Sequence, residues 1–167
     1  MFFNFLKNKK KGFNLDINEK SKRKEAEYNR RQVILTRQSA DGIITYSKTW
    51  HPHEGILILQ GKSKKNGEIK IDGLVVPPFA SSGPYYSGFP TNELPMDLSY
   101  IGTAHSHPSR SNRPSLQDLN NFFGFVSIII SYPYEYDTIA AYDRNGNNIS
   151  LIIEQRLNLI DRSKIDM

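Results

Sequence analysis

The chain has 167 residues, a formal net charge of +5 and a hydrophobic content of 38%, which suit one soluble domain with a core of its own. It contains no cysteine, which excludes disulfides and thiol chemistry and fits a cytoplasmic location. We find no stretch with the length of a transmembrane helix and none with the form of a secretory signal.

The positive charge is concentrated at the N-terminus. Residues 1–31 carry ten Lys and Arg side chains against four acidic ones, so the remainder of the chain is close to neutral. We expect residues 1–31 to form a flexible basic extension, residues 32–156 the folded domain, and residues 157–167 a C-terminal tail. The extension could contact nucleic acid or an anionic membrane, although a solvated extension is the simpler interpretation.

The predicted elements mix helices and strands. Apolar spacing predicts an amphipathic helix over residues 33–50, which His51-Pro52 ends, and a buried central strand over 55–60. A second helix is predicted from residue 116, with its apolar residues (Leu116, Leu119, Phe122, Phe123 and Val126) facing the core. Further strands are predicted at 68–76, 100–104, 126–131, 138–142 and 149–153, with hairpin turns at 62–67 and 143–148. This order predicts an α/β fold built on a mixed β-sheet sandwiched by helices.

The residues with the clearest chemistry follow the strand at 100–104. His105 and His107 are one residue apart, so on a strand both imidazoles can point at one place. Ser115 and Asp118 are three apart at a predicted helix start, where they are neighbours. Two His and one Asp could hold a catalytic zinc ion, with a fourth position for water. Each feature alone has a structural explanation, because Ser-x-x-Asp is also a capping pattern, but the combination favours a metal site.

The pattern His-Ser-His followed by Ser115 and Asp118 resembles the signature of the JAMM/MPN+ (JAB1/Mov34-type) metalloproteases, in their prokaryotic or archaeal single-domain form. Glu54, at the head of the predicted central strand, matches the upstream Glu of that signature, and the resemblance covers about residues 32–154. It implies an MPN/JAMM-like fold, similar to that of the cytidine deaminases. It also implies one zinc ion per chain, held by His105, His107 and Asp118.

The same resemblance implies hydrolysis of isopeptide or peptide bonds after the C-terminal Gly-Gly of ubiquitin-like or sulfur-carrier-type modifier proteins. Zinc would activate a water molecule, Glu54 would pass its proton to the leaving amine, and Ser115 would donate a hydrogen bond to the developing oxyanion. The modifier and its conjugates would be the partners. Two alternatives stay open: a non-catalytic MPN-type scaffold, and a surface binder acting through residues 1–31.

Two further segments are expected near this site. Residues 79–97 form a long connection rich in Gly, Pro, Ser and Tyr, and connections of this length are usually functional or disordered. It leads into the strand that carries His105, so we expect Tyr85, Tyr86 and Phe89 to bind substrate. His51 and His53 form a second His-x-His pair, which we expect to lie at the rim without a third ligand.

Overall fold

The structure, a computed structural model, describes residues 31–83, 86–90, 92 and 94–155, together with Glu19 and Lys22; for residues 81, 82, 86 and 87 it describes the backbone alone. Most of the predicted basic extension and all of the tail at 157–167 therefore lie outside the described residues. In the described part of the chain, no helix is long and apolar enough to cross a membrane.

The described elements follow one another as β1 (Gln32–Leu35), α1 (Arg37–Trp50), β2 (Ile56–Ser63), β3 (Glu68–Val75), β4 (Ser81–Gly83), β5 (Tyr86–Gly88), β6 (Tyr100–His107), α2 (Leu116–Asn120), β7 (Val126–Ser131), β8 (Ile139–Tyr142) and β9 (Asn148–Ile153). A short 3₁₀ helix, Tyr136–Thr138, precedes β8.

Seven strands form a mixed sheet in the order β1-β3-β2-β6-β7-β8-β9, and the sheet closes into a barrel. Strand β1 closes it by pairing in parallel with both β3 and β9. Strands β6 and β7 are also parallel, whereas β2 pairs antiparallel with β3 and β6. The predicted α/β fold with a mixed sheet is confirmed, and β6, which carries the two histidines, lies in the middle of the sheet.

The first predicted helix begins later than expected. Residues 33–35 belong to β1, and only Arg37–Trp50 is helical. Val33 and Leu35 are both fully buried, as the alternating side chains of a strand between two partners can be. Thr36 separates the two elements: its hydroxyl accepts a hydrogen bond from the backbone N–H of Ser39 (3.2 Å) and caps α1.

The second predicted helix is much shorter than its apolar spacing indicated. Helix α2 ends at Asn120, contains no buried residue and leaves Leu116 75% exposed, so the prediction that this face packs on the core was wrong. Gly124 redirects the chain after the helix has ended. Its φ is +75°, and a Cβ there would lie 2.4 Å from the carbonyl oxygen of Ile101. The chain therefore turns at a glycine and enters β7, where Val126 is buried.

The two predicted hairpins are present. Strands β2 and β3 pair around Gly67, whose φ is +92°, and β8 pairs with β9 around Gly146, whose φ is +77°. Between β3 and β6, the long connection contains a small hairpin of β4 and β5 that forms a separate two-stranded sheet. This hairpin reaches the site, because Gly83 accepts a hydrogen bond from the backbone N–H of Glu54 (2.9 Å).

Candidate metal centre

Strand β6 presents both histidines to the same side of the sheet. Their ring centroids are 5.0 Å apart, and the exposed fractions of His105 and His107 are only 6% and 8%. The neighbours of β6 hold it on both sides: His105 is paired with Ile56 of β2 and Ile129 of β7. The barrel therefore fixes two imidazoles at one buried position.

Helix α2 brings a carboxylate to these imidazoles. Asp118 Oδ1 lies 3.2 Å from Nε2 of His105, and Asp118 Oδ2 lies 3.4 Å from Nε2 of His107. A capping box orients this side chain: Asp118 Oδ2 accepts from the backbone N–H of Ser115 (2.6 Å), and Ser115 Oγ accepts from the backbone N–H of Asp118 (3.2 Å). Ser115 thus aligns the helix start, and its hydroxyl hydrogen is not used by the cap.

The three side chains fit a metal ion. One ligand atom from each of His105, His107 and Asp118 lies within 4.8 Å of the other two. Nε2 of His105 is buried, and its 3.2 Å contact with Asp118 Oδ1 does not have the geometry of a hydrogen bond. Buried polar atoms without a hydrogen-bond partner are rare unless an ion or water is to be bound. Two imidazole nitrogens and one carboxylate suit zinc.

The ring of His107 is oriented by a hydrogen bond at the nitrogen that faces away from Asp118. Its Nδ1 lies 2.9 Å from the carbonyl oxygen of Ser111, an acceptor, so Nδ1 carries a proton and Nε2, which faces Asp118, is the nitrogen that a metal ion would bind. Such outer hydrogen bonds fix the tautomer of metal-binding histidines. Burial alone would raise the pKa of Asp118, but the two imidazoles outweigh it and hold that pKa well below its usual range. Asp118 is therefore an anion at neutral pH.

Glu54 lies near the ligands, with Gly55 between it and the start of β2. It is 8% exposed, and burial raises its pKa to about 7, helped by the negative charge of Asp118 and opposed by His107. A carboxyl group that titrates near neutrality can both accept and donate a proton. Glu54 is therefore the candidate for a proton-transfer role next to the three ligands.

A cleft of about 410 Å³ opens beside the ligands. His105 and Asp118 are among its lining residues, as are Phe89 and Phe123, whose rings meet edge to face with centroids 6.2 Å apart. Its other lining residues are Ile56, Gly88, Thr103, Asn120, Asn121, Phe122 and Ser127. The site therefore combines two of the candidate metal ligands with a cavity that has aromatic and polar walls.

The structure brings most of the predicted site residues together. His105, His107 and Asp118 form one cluster, and Phe89 lines the cleft. Ser115 caps the helix that carries Asp118, and Glu54 is close enough to His107 and Asp118 for their charges to affect its pKa. Tyr85 lies outside the described residues, as does the side chain of Tyr86. The second histidine pair stays at the rim, where both residues are exposed and His51 Nδ1 lies 3.0 Å from the hydroxyl of Tyr134.

Sequence reasoning missed several residues that shape the site. Thr103 could have been found, because it precedes His105 by two positions on the same strand and so shares its face. Ser127 is paired with Thr103 across β6 and β7, and this register is not visible in the sequence. The carbonyl groups of Gly83 and Ser111 act through backbone atoms, which no residue type reveals.

Comparisons with known proteins agree with this geometry. The family model described as prokaryotic homologs of the JAB domain matches residues 36–145. A probable metalloprotease from Haloferax volcanii is 33% identical over 123 residues, which are 70% of this chain and 76% of the relative.

Two solved structures are similar. A JAB1/MPN domain protein from Archaeoglobus fulgidus is 34% identical, with a TM-score of 0.56 over 72% of this chain and 98% of its own. A JAMM structure, presented as a metalloprotease-like zinc site in the proteasome and signalosome, is 28% identical, with a TM-score of 0.55 over 74% and 99% of the two chains.

The mixed sheet and the His-His-Asp cluster, together with these relatives, define a zinc-dependent hydrolase of the metalloprotease class. The chain belongs to the prokaryotic JAB family, within the JAMM/MPN+ metalloproteases.

Proposed function

We propose that this metalloprotease cleaves peptide or isopeptide bonds after the C-terminal Gly-Gly of a ubiquitin-like or sulfur-carrier-type modifier protein. The observation that carries the proposal is the cleft that opens beside the three ligands. Phe89 and Phe123 both line it, and their rings pack edge to face with centroids 6.2 Å apart. An aromatic wall of this kind packs well against a segment without side chains, which supports glycines as the occupant.

The lining of the cleft also supports an extended peptide as the occupant. Thr103 and Ser127 form part of it and are only 7% exposed. A hydroxyl group can both donate and accept, so these two side chains can bind the N–H and C=O groups of a peptide backbone. Asn120 and Asn121 add amide groups on the α2 side.

Five residues divide the chemistry. His105, His107 and Asp118 would hold zinc, which supplies Lewis-acid polarisation and lowers the pKa of water in the site. The Glu54 carboxylate accepts a proton from the attacking water and returns it to the departing amine, a role suited to a pKa near 7. The Ser115 hydroxyl, which is free to donate, stabilises negative charge on the attacked carbonyl oxygen.

The scaffold alternative is disfavoured, because the usual mark of a non-catalytic MPN scaffold is the loss of ligands and all three are brought together here. The alternative of a surface binder concerns residues 1–31, most of which lie outside the described residues. It stays a prediction that removal of residues 1–31 abolishes salt-sensitive binding to nucleic acid or anionic vesicles without reducing metal binding or hydrolysis.

The proposal is tested with a small ubiquitin-like modifier whose terminal Gly-Gly carries an aminocoumarin amide, beside the same modifier ending in Gly-Val. We expect the wild-type protein to release coumarin from the first substrate only. Glu54→Gln should retain zinc and lose about 10²- to 10⁴-fold in rate, whereas His107→Ala should lose zinc, measured by elemental analysis. Equal cleavage of the two substrates would disprove the Gly-Gly selectivity, and a fully active Glu54→Gln variant would disprove the role of Glu54.

A further inference from the structure

The residue between the two histidines, Ser106, points away from them and is fully buried. Its backbone N–H donates to the carbonyl oxygen of Gly55 (3.0 Å), and its Oγ accepts from the backbone N–H of Gly55 (2.9 Å). In a regular antiparallel pair, two opposite residues exchange two backbone hydrogen bonds. Here the bond from the Ser106 N–H to the Gly55 carbonyl is kept. The Gly55 N–H donates to the Ser106 hydroxyl oxygen, where a regular pair would use the Ser106 carbonyl oxygen.

This substitution occurs where β2 separates from β6. The regular pairing of the two strands ends at Ile56 and His105, so Gly55 is the first residue beyond the ladder and Glu54 the next. The backbone N–H of Glu54 then turns to another partner, the carbonyl oxygen of Gly83 in β4 (2.9 Å). The backbone around Glu54 is thus held by one hydrogen bond to the β4–β5 hairpin and by two between Gly55 and Ser106.

Helix α1 restricts the same segment from a third side. A Cβ added at Gly55 would lie 2.8 Å from Cε1 of Tyr46 and 3.1 Å from Cδ1 of Trp50, so the ring atoms of α1 lie directly against the Gly55 backbone. The Gly55 peptide therefore cannot move toward α1. On its other side, the hydrogen bond to the Ser106 hydroxyl sets the distance between the Gly55 backbone and β6, the strand that carries His105 and His107.

We propose that Ser106 is a positioning residue, whose hydroxyl sets the backbone at Gly55 and thereby aims the Glu54 carboxyl at the space beside His105, His107 and Asp118. The inference rests on the proposed role of Glu54. Proton transfer depends on hydrogen-bond geometry between the carboxyl and the reacting atoms, and a misplacement of 1 Å can reduce a rate by about 10²-fold. Loss of the Ser106 hydroxyl would leave His105 and His107 in place on β6. It would free the backbone at Gly55, and with it the side chain of Glu54, to move.

The experiment compares Ser106→Ala, Ser106→Thr and a matched control, Ser47→Ala. Ser47 is equally a buried serine, and its hydroxyl donates to the carbonyl oxygen of Ile43 in α1 (2.8 Å). Zinc content and amide hydrogen exchange at Gly55 are measured on all three and on the wild type, and kcat and KM are measured with the Gly-Gly coumarin substrate.

In Ser106→Ala we expect wild-type zinc content, at least 10-fold faster exchange at Gly55, and a fall of about 10- to 100-fold in kcat with KM within twofold. Ser106→Thr, which keeps the acceptor oxygen, should recover most of kcat. Ser47→Ala should match the wild type in zinc content, Gly55 exchange and kcat. If Ser106 served folding alone, its substitution would not lower kcat while leaving KM unchanged, and Ser106→Thr would not restore kcat.

Three results would overturn the inference. Zinc loss in Ser106→Ala would show that Ser106 supports the ligands, not Glu54. Faster exchange at Gly55 with unchanged kcat would make the hydroxyl a strand terminator only, and unchanged exchange would show that the hydroxyl does not hold the Gly55 peptide. Failure of the proposed function itself looks different, because the wild-type protein would then bind zinc and release no coumarin.

Discussion

The two halves of the metal centre are built in different ways. His105 and His107 lie on β6, a strand of the closed barrel that is paired with β2 and β7 on its two sides. Both histidines are at least nine-tenths buried. Asp118 and Ser115 belong to a five-residue helix with no buried residue. We refer to these as the barrel half and the helix half of the site.

This difference in burial indicates which half of the site depends on the metal for its stability. The barrel half is held by paired strands and a hydrophobic core whether or not an ion is bound. The helix half is held at its start by the capping box, and regions with few buried contacts open most easily. A metal ion that joins Asp118 to β6 would therefore stabilise the helix half far more than the barrel half.

The largest effect is expected from the one ligand of the helix half. We expect Asp118→Asn and Asp118→Ala both to lose zinc and measurable hydrolysis, because neither side chain supplies an anionic ligand. Their stabilities should differ: the amide oxygen of asparagine can still accept from the Ser115 N–H, whereas alanine also loses the cap, at a cost of about 1 kcal/mol. Urea unfolding measures that difference.

Amide hydrogen exchange on the same two variants tests the comparison directly. Residues 116–120 should lose protection in both variants, as in the wild-type protein after treatment with a chelator, whereas β6 should keep its protection. Equal loss of protection in β6 and α2 would show that the barrel half also depends on the metal.

An intermediate effect is expected at Ser115, which has two proposed roles. Removal of a single oxyanion donor reduces kcat by about 10²- to 10³-fold in well-studied sites, so Ser115→Ala and Ser115→Gly should lose similar amounts of rate while keeping zinc. Their stabilities should differ, because Gly is tolerated at an N-cap at a cost of a few tenths of a kcal/mol, whereas Ala costs about 1 kcal/mol. If both variants keep wild-type kcat, Ser115 is a cap alone.

The barrel half was also the half that the sequence predicted best. The alternation of His105, Ser106 and His107 on a strand follows from the two-residue period and is observed. The third ligand could be predicted because Ser115 and Asp118 mark a helix start as well as a site. Local spacing was therefore enough to nominate the ligands.

The errors lie where distant parts of the chain decide the structure. Residues 33–35 form a strand because β3 and β9 pair with them on both sides, and those partners are remote in sequence. Beyond helix α2, the chain turns at Gly124, which packs against the carbonyl of Ile101, a contact between separate elements. Three other features also depend on tertiary contacts. They are the closure of the barrel, the pairing of Thr103 with Ser127, and the hydrogen bonds that Gly83 and Ser106 accept from the backbone at Glu54 and Gly55.

The smallest effect concerns stability, and it separates Glu54 from the ligands. In the metal-free protein, burial raises the pKa of Glu54 from 4.5 to about 7, so between these pH values the folded state holds a proton that the unfolded state releases. This group therefore makes the protein less stable as the pH rises from 4.5 to 7. The pKa of Asp118 is shifted downward, and its stabilising contribution is lost at acid pH, but Asp118 is present in both proteins compared and largely cancels from their difference.

Glu54→Gln removes the titration and should leave stability near pH 4.5 almost unchanged. By pH 7.5, urea unfolding with a chelator present should find the variant more stable than the wild type by about 1–3 kcal/mol. Asp137→Asn, the loss of an exposed carboxylate, serves as the control and should show no such dependence. Zinc should shrink the difference, because a cation beside Glu54 favours its ionised form. A difference that stays constant from pH 4.5 to 7.5 would mean that Glu54 is ionised in the metal-free protein throughout and is solvated far better than its buried position indicates.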